Sequence, residues 1–149
     1  PCVYKKLNIF LSKYKFAQIY GEKDFEHWFS SVKNVLYCYV VEDPISKELT
    51  DFCSFYLVPF TVIDSNEELN IAYMYYYFNN KNSLVDLVRN LLIVAKHNNF
   101  DVFNCLDIMD NQHFLKELKF GSGTGKLNYY LYNYKYNDIP SQNLSLVLF

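Results

Sequence analysis

Asn70–Asn104, NIAYMYYYFNNKNSLVDLVRNLLIVAKHNNFDVFN, decides the class of this chain. Its opening part, Asn70 to Phe78, is dense in tyrosine and fits a strand, the fold of choice for aromatic residues on a pleated surface. Ser83 and Asp86 then form a capping-box-like helix start, and Leu84, Leu87, Val88, Leu91, Leu92 and Ala95 share one helical face. Asn98-Asn99 suits a left-handed cap, and Phe100 to Phe103 reads as a short apolar strand.

Working outward, Val3, Leu7, Phe10, Leu11 and Tyr14 make an apolar stripe that predicts a helix over Val3 to Phe16, with lysines on its other face. A second helix is predicted from Glu22 to Phe29. Asn34 to Glu42 predicts a strand, Asp43-Pro44 a turn, and Leu49 to Val58 another strand whose ladder Pro59 should stop. Downstream come a short helix from Asn111 to Leu118, a glycine loop from Gly121 to Gly125, an aromatic strand from Leu127 to Lys135, and a last strand from Leu144 to Phe149. Helices interleaved with strands argue for an α/β or α+β domain built on one mixed sheet flanked by helices.

Composition narrows the function classes. The 149 residues fit one domain, and 51% hydrophobic with 20% charged residues exclude intrinsic disorder. Fifteen tyrosines and thirteen phenylalanines make the chain unusually aromatic, and tyrosine packs its ring while sending a hydroxyl to a partner. Net charge is −2 and Arg89 is the single arginine, so no basic stripe exists and nucleic acid is not an expected partner. No run of 18 apolar residues predicts a transmembrane segment. The chain starts on Pro1 without a signal-peptide pattern, which is read as a piece of a longer, cytoplasmic protein. Cys2, Cys38, Cys53 and Cys105 are scattered in apolar segments without a CxxC, so reduced, buried thiols are expected.

The motifs for common chemistries fail one by one. Gly121-Ser122-Gly123-Thr124-Gly125-Lys126 invites a phosphate-loop reading, but Phe120 and Leu127 stand where that pattern needs Gly and Ser or Thr. What remains is a backbone expected to bend sharply or approach something closely, as a plain turn or as a ligand-contacting loop. His27, His97 and His113 occur in no metal spacing. Nothing supports a Cys–His nucleophile, and Asp101, Asp107 and Asp110 read as solvated or capping carboxylates. The residues alone lead to a mixed α/β domain with an aromatic-lined surface.

A longer pattern adds to this. Phe100-Asp101-Val102-Phe103-Asn104, Leu106-Asp107, Lys119-Phe120-Gly121-x-Gly123-x-Gly125 and Tyr129-Tyr130-Leu131-Tyr132-Asn133 together resemble the N-myristoyltransferases, or glycylpeptide N-tetradecanoyltransferases. Glu26-His27-Trp28-Phe29, Thr50-Asp51-Phe52-x-Ser54-Phe55-Tyr56 and Ala72-Tyr73 agree, as does the ending Leu146-Val147-Leu148-Phe149. The resemblance spans nearly all of residues 1–149.

It implies the C-terminal, peptide-binding half of a two-fold pseudo-symmetric enzyme with an N-acetyltransferase-like fold. The N-terminal half, which holds most of the myristoyl-CoA site, would be absent here, so no cofactor is expected on this half and that missing half is the expected partner. The other expected partners are the N-terminal glycine peptides of substrate proteins. An isolated half-saddle would also expose an apolar edge and self-associate.

The implied reaction is attack of the glycine amine on the thioester carbonyl of myristoyl-CoA. An α-amine of pKa about 7.7–8.0 is roughly nine-tenths protonated at pH 7, so a base is needed, at a cost of only about 1.4 kcal/mol. The resemblance implies that this base is the chain's own C-terminal carboxylate, on Phe149. Burial at the end of the apolar Leu146-Val147-Leu148 run would raise the carboxyl pKa and improve the match. Tyr73 is implied as a groove tyrosine, Asn104 as a polar residue facing the peptide, and Leu148 as a wall of the site. Gly123, Thr124 and Gly125 are implied to meet the peptide in the glycine loop, where Thr124 replaces the family's aspartate and puts a preference for a basic peptide in doubt. Phe60 stands where the family places a small serine and should narrow the groove. These two departures lend weight to an alternative, a non-catalytic peptide-binding module on an acetyltransferase-like scaffold.

Overall fold

A computed structural model describes residues 2–63, 65 and 67–148. Four strands form a mixed sheet in the order β2 (Leu36–Glu42), β3 (Leu49–Thr61), β4 (Glu68–Asn79), β5 (Val102–Asn104). The first three are antiparallel, and β5 runs parallel to β4 after the crossover helix α3 (Leu84–His97). A second, two-stranded parallel pair joins β1 (Phe16–Ala17) to β6 (Leu144–Ser145). Helices α1 (Cys2–Leu11), α2 (Glu22–Phe29) and α4 (Gln112–Leu115), with a single 3-10 turn at Ser141–Asn143, complete the described elements.

The central β-α-β stretch forms as its sequence dictates. Ser83 caps α3 by accepting a bond from the Asp86 amide, and Leu84, Leu87, Val88, Leu91 and Ala95 are buried. Asn99 takes the left-handed conformation, φ 62°, just past the helix end. On one face of the sheet, Phe25 and Phe29 of α2 pack on Phe52, and Phe29 stacks on Tyr75 at 5.2 Å. On the other face, Tyr37 stacks on its register partner Phe55, and Phe100 and Phe103 meet Phe55 edge-on.

Pro59 does not stop β3, which runs to Thr61 with Pro59 opposite Asn70. Asn70 spends its main-chain groups on the other side: its amide donates to the Asp101 carboxylate at 2.8 Å and its carbonyl accepts from the Asp101 amide at 2.9 Å. Pro59 therefore occupies a non-hydrogen-bonded pair, where a missing N–H costs nothing.

The ladder slips by one residue between Cys53 and Phe55, so that Tyr75 and Tyr76 together oppose Ser54. This bulge breaks the alternation of β4 and turns two consecutive tyrosines toward the same side of the sheet. The buried Ser54 hydroxyl replaces the lost rung by donating to the Tyr76 carbonyl at 2.8 Å and accepting from the Tyr76 amide at 3.1 Å.

Other expectations are corrected. The first helix ends at Leu11, because residues 15–17 turn away to bond the C-terminal segment, with the Lys15 amide donating to the Asn143 carbonyl. Residues 34 and 35 stay outside β2, since Asn34 has φ 62°. The short helix closes at Leu115 rather than Leu118. The aromatic strand expected over Leu127–Lys135 is not formed. Among the described residues no main-chain partner stands beside it, and Tyr130, Tyr132 and Tyr134 face solvent. The last strand is limited to Leu144 and Ser145. Of the cysteines, Cys53 is buried, Cys38 and Cys105 are half-buried, and Cys2 is exposed, contrary to the expectation of four core thiols; all four are unpaired.

Candidate functional site

Register places the implied groove residues in one transverse row. Tyr56 of β3 pairs with Tyr73 of β4, and Tyr73 pairs with Asn104 of β5, so all three lie on the same face of the sheet. Tyr56 and Tyr73 stack with ring centroids 5.7 Å apart and planes 19° apart. Tyr73 and Asn104 are both half-buried, open enough to meet a ligand. Four residues beyond Tyr56 on the same face, Phe60 is 51% exposed, opposite Leu69.

The C-terminal segment runs into this region. Leu144 and Ser145 pair with β1, and the Leu144 carbonyl also accepts from the Met109 amide at 3.1 Å. Beyond Ser145 the main chain is held by tyrosine side chains. Tyr129 Oη donates to the Leu146 carbonyl at 2.7 Å. The Val147 amide donates to Tyr76 Oη at 3.0 Å, and Tyr56 Oη donates to the Leu148 carbonyl at 3.3 Å. Val147 is buried and Leu148 is largely exposed.

Leu146, Val147 and Leu148 form one wall of an open cleft of about 250 Å³, with Tyr20, Trp28, Tyr75 and Tyr76 opposite. The bulge explains why both Tyr75 and Tyr76 line it. Their hydroxyls interact with that of Tyr20, and burial pushes the Tyr75 phenol up to about 12 and raises that of Tyr76. These phenols stay protonated at neutral pH and serve as neutral hydrogen-bonding groups, not bases. Three of the cysteines are equally inert: burial raises the Cys38, Cys53 and Cys105 thiols to about 12. No group of histidine, cysteine or carboxylate side chains suited to a metal ion occurs among the described residues.

Of the residues implied by the sequence, Tyr73, Asn104 and Leu148 are brought together, with Tyr56 as their link. Phe149, the implied base, lies outside the described residues. Gly123, Thr124 and Gly125 sit in an exposed loop. No glycine there has positive φ, and a methyl group on Gly121, Gly123 or Gly125 would meet nothing within 4 Å, so among the described residues nothing approaches these glycines closely. Sequence reasoning missed Tyr56, Tyr76 and Tyr129. Tyr56 and Tyr129 stand inside quoted motifs, but their partners are main-chain atoms far along the chain, which no local pattern reveals.

Comparisons with known proteins agree on one family. The profile described as myristoyl-CoA:protein N-myristoyltransferase, C-terminal domain, matches residues 1–145. Glycylpeptide N-tetradecanoyltransferase 1 of Arabidopsis thaliana is 44% identical over 151 aligned positions, covering 99% of this chain and 35% of that protein. A crystal structure of Saccharomyces cerevisiae N-myristoyltransferase with bound myristoyl-CoA and inhibitors superposes with a TM-score of 0.75 at 34% identity, over 81% of this chain and 33% of that one. The fold alone is shared with a Trypanosoma brucei acetyltransferase, at 8% identity, TM-score 0.55, and coverage of 86% of this chain and 94% of that one. The chain thus spans about a third of the length of the N-myristoyltransferases it matches. It belongs to the myristoyl-CoA:protein N-myristoyltransferase family and corresponds to that family's C-terminal domain.

Proposed function

We propose that the enzyme containing this domain transfers myristate from myristoyl-CoA to the N-terminal glycine amine of proteins, and that this domain supplies the peptide groove and the base. The observation that carries the reading is the seating of Leu146–Leu148 by three tyrosine hydroxyls along an aromatic cleft, beside the Tyr56–Tyr73–Asn104 row. Tethered in this way, the segment can deliver the Phe149 carboxylate to a defined place, where it accepts a proton from the glycine ammonium. Holding the freed amine against the thioester carbonyl then contributes more than the deprotonation itself. Thr124 offers no charge to a basic peptide side chain, and Phe60 narrows the same face as Tyr56. Selectivity therefore shifts toward peptides without a basic residue at that point. The compartment is the cytoplasm, a reading that the unpaired thiols support.

Acyl transfer from myristoyl-CoA to a Gly-initiated peptide, with an Ala-initiated control, tests this. The full-length enzyme should turn over the first peptide only. The isolated domain should show no turnover and weak or no binding of myristoyl-CoA, and detectable transfer by the domain alone would contradict the division of labour.

The isolated domain should also self-associate or capture the N-terminal half, because Tyr130, Tyr132, Tyr134 and Tyr136 leave an aromatic surface open. Gel filtration giving one monomeric elution volume at all concentrations would refute that. The alternative of a non-catalytic peptide-binding module draws on Phe60 and Thr124. It requires the full-length protein to bind Gly-initiated peptides without acylating them.

A further inference from the structure

We infer that Tyr129, Tyr76 and Tyr56 are positioning residues for the proton-accepting terminus, and that Tyr129 also yokes the glycine loop to it; this rests on the reading just given. Leu146, Val147 and Leu148 belong to no strand, so their placement depends on side chains. Each of the three makes one main-chain bond to a phenol, and the phenols come from three different parts of the fold.

The anchors differ in what they connect. Tyr76 is fully buried and fixed by the bulge and the Ser54 hydroxyl, so it ties the segment to the centre of the sheet. Tyr56 bonds the last peptide carbonyl before Phe149 while its ring stacks on Tyr73, which joins the tail to the groove row. Tyr129 lies four residues beyond the last glycine of the loop, Gly125. Among the described residues its bond to Leu146 is the hydrogen bond that ties residues 121–139 back to the rest of the domain. A shift of that loop on meeting a peptide therefore reaches the tail through this phenol as well as along the chain that joins residue 139 to Leu146.

Burial raises the phenol pKa of Tyr56 and of Tyr129, so both remain donors across the working pH range. Their removal changes geometry and leaves the charge of the site unaltered. Misplacement of a reacting group by about 1 Å costs on the order of 100-fold in rate, and a partial loosening costs less.

The test uses Tyr129→Phe and Tyr56→Phe in the full-length enzyme, alone and combined with one residue added after Phe149. Phenylalanine keeps the ring packing, and thermal melting checks the fold. Each single variant should lower kcat by about 10-fold while the KM for a Gly-initiated peptide and for myristoyl-CoA moves less than about twofold. In the extended enzyme, Tyr129→Phe should add less than about a twofold loss, because the group it positions is already displaced. A purely structural role predicts a lowered Tm with kcat unchanged, or the same fractional loss in both backgrounds, and either result overturns the clamp. An extension that leaves kcat intact overturns the base reading itself. An extension that abolishes turnover beside silent Tyr→Phe variants overturns the clamp alone.

Discussion

A full-length enzyme carrying one extra residue after Phe149 is expected to lose about 10²- to 10⁴-fold in kcat, the usual contribution of a positioned base. The extra residue moves the terminal carboxylate by up to about 3.6 Å and leaves a neutral amide in its place. An amide cannot accept a proton from an ammonium. Binding should survive, since Tyr73, Asn104 and the rest of the groove are untouched. Phe149→Ala is the matched control: it removes the ring, keeps the main-chain carboxylate, and should retain most of the turnover. Steady-state kinetics on both variants decide the matter. Comparable rates for the extended and native enzymes would exclude the terminus as base, and a collapse of the alanine variant to the extended enzyme's level would show that the ring is needed to place the terminus.

The second large effect concerns stability. Asp51 is fully buried at the start of β3, where its carboxylate accepts from the amides of Asn80, Lys81 and Asn82, from the Thr50 hydroxyl at 2.7 Å and from Asn82 Nδ2 at 2.7 Å. It thereby pins the turn that leads from β4 into α3. Asp51→Ala strands these donors and should cost about 3 kcal/mol, at about 1.5–3 for a bond to a charged group and 1–3 for a buried donor left unmade. For a domain of this size that lowers Tm by roughly 10 °C.

The same carboxylate gives an acid limb with a defined sign. Burial acts to raise its pKa, but the bonds from Thr50, Asn82 and Asn80 outweigh it and hold the group below the ordinary value. Its contribution is complete above the unfolded value of about 3.9 and disappears as pH falls through the lower folded value. The stability gap between the native protein and Asp51→Asn should therefore narrow below about pH 4. Parallel pH–stability curves for the two would show that Asp51 is not the group responsible.

What could be read from the sequence divides along a physical line. Helix α3 was legible because its cap, its period and its left-handed exit are set within a few neighbouring residues, from Ser83 to Asn99. Helix α2 was legible over its full span, Glu22–Phe29, with the Asp24 carboxylate accepting from the Gly21 amide at its start. The extension of β3 past Pro59 was not, because the proline's missing donor is harmless only when Asn70 turns its own groups toward Asp101, thirty-one residues further on. The strand expected over Leu127–Lys135 has the right residues and lacks a neighbour, and alternation cannot supply one.

The site divides in the same way. Tyr73, Asn104 and Leu148 came from resemblance, which carries identities forward but not distances. Their meeting through Tyr56 depends on the register of three strands, and the pairing of Tyr75 with Tyr76 in one cleft depends on a slip opposite Ser54. Neither leaves a trace in local spacing. The inertness of the three more buried cysteines likewise follows from where the chain folds over them.

The attachment of Leu146–Leu148 through phenols instead of a ladder has a hereditary consequence. Every residue carries the amide and carbonyl of a ladder rung, so no codon change except one to proline can delete it. A phenol disappears when a single nucleotide converts a tyrosine codon to a phenylalanine codon. On the proposed reading, turnover in this lineage can therefore fall in small genetic steps, through Tyr76 or Tyr129, while Tyr73 and Asn104 of the groove row stay as they are.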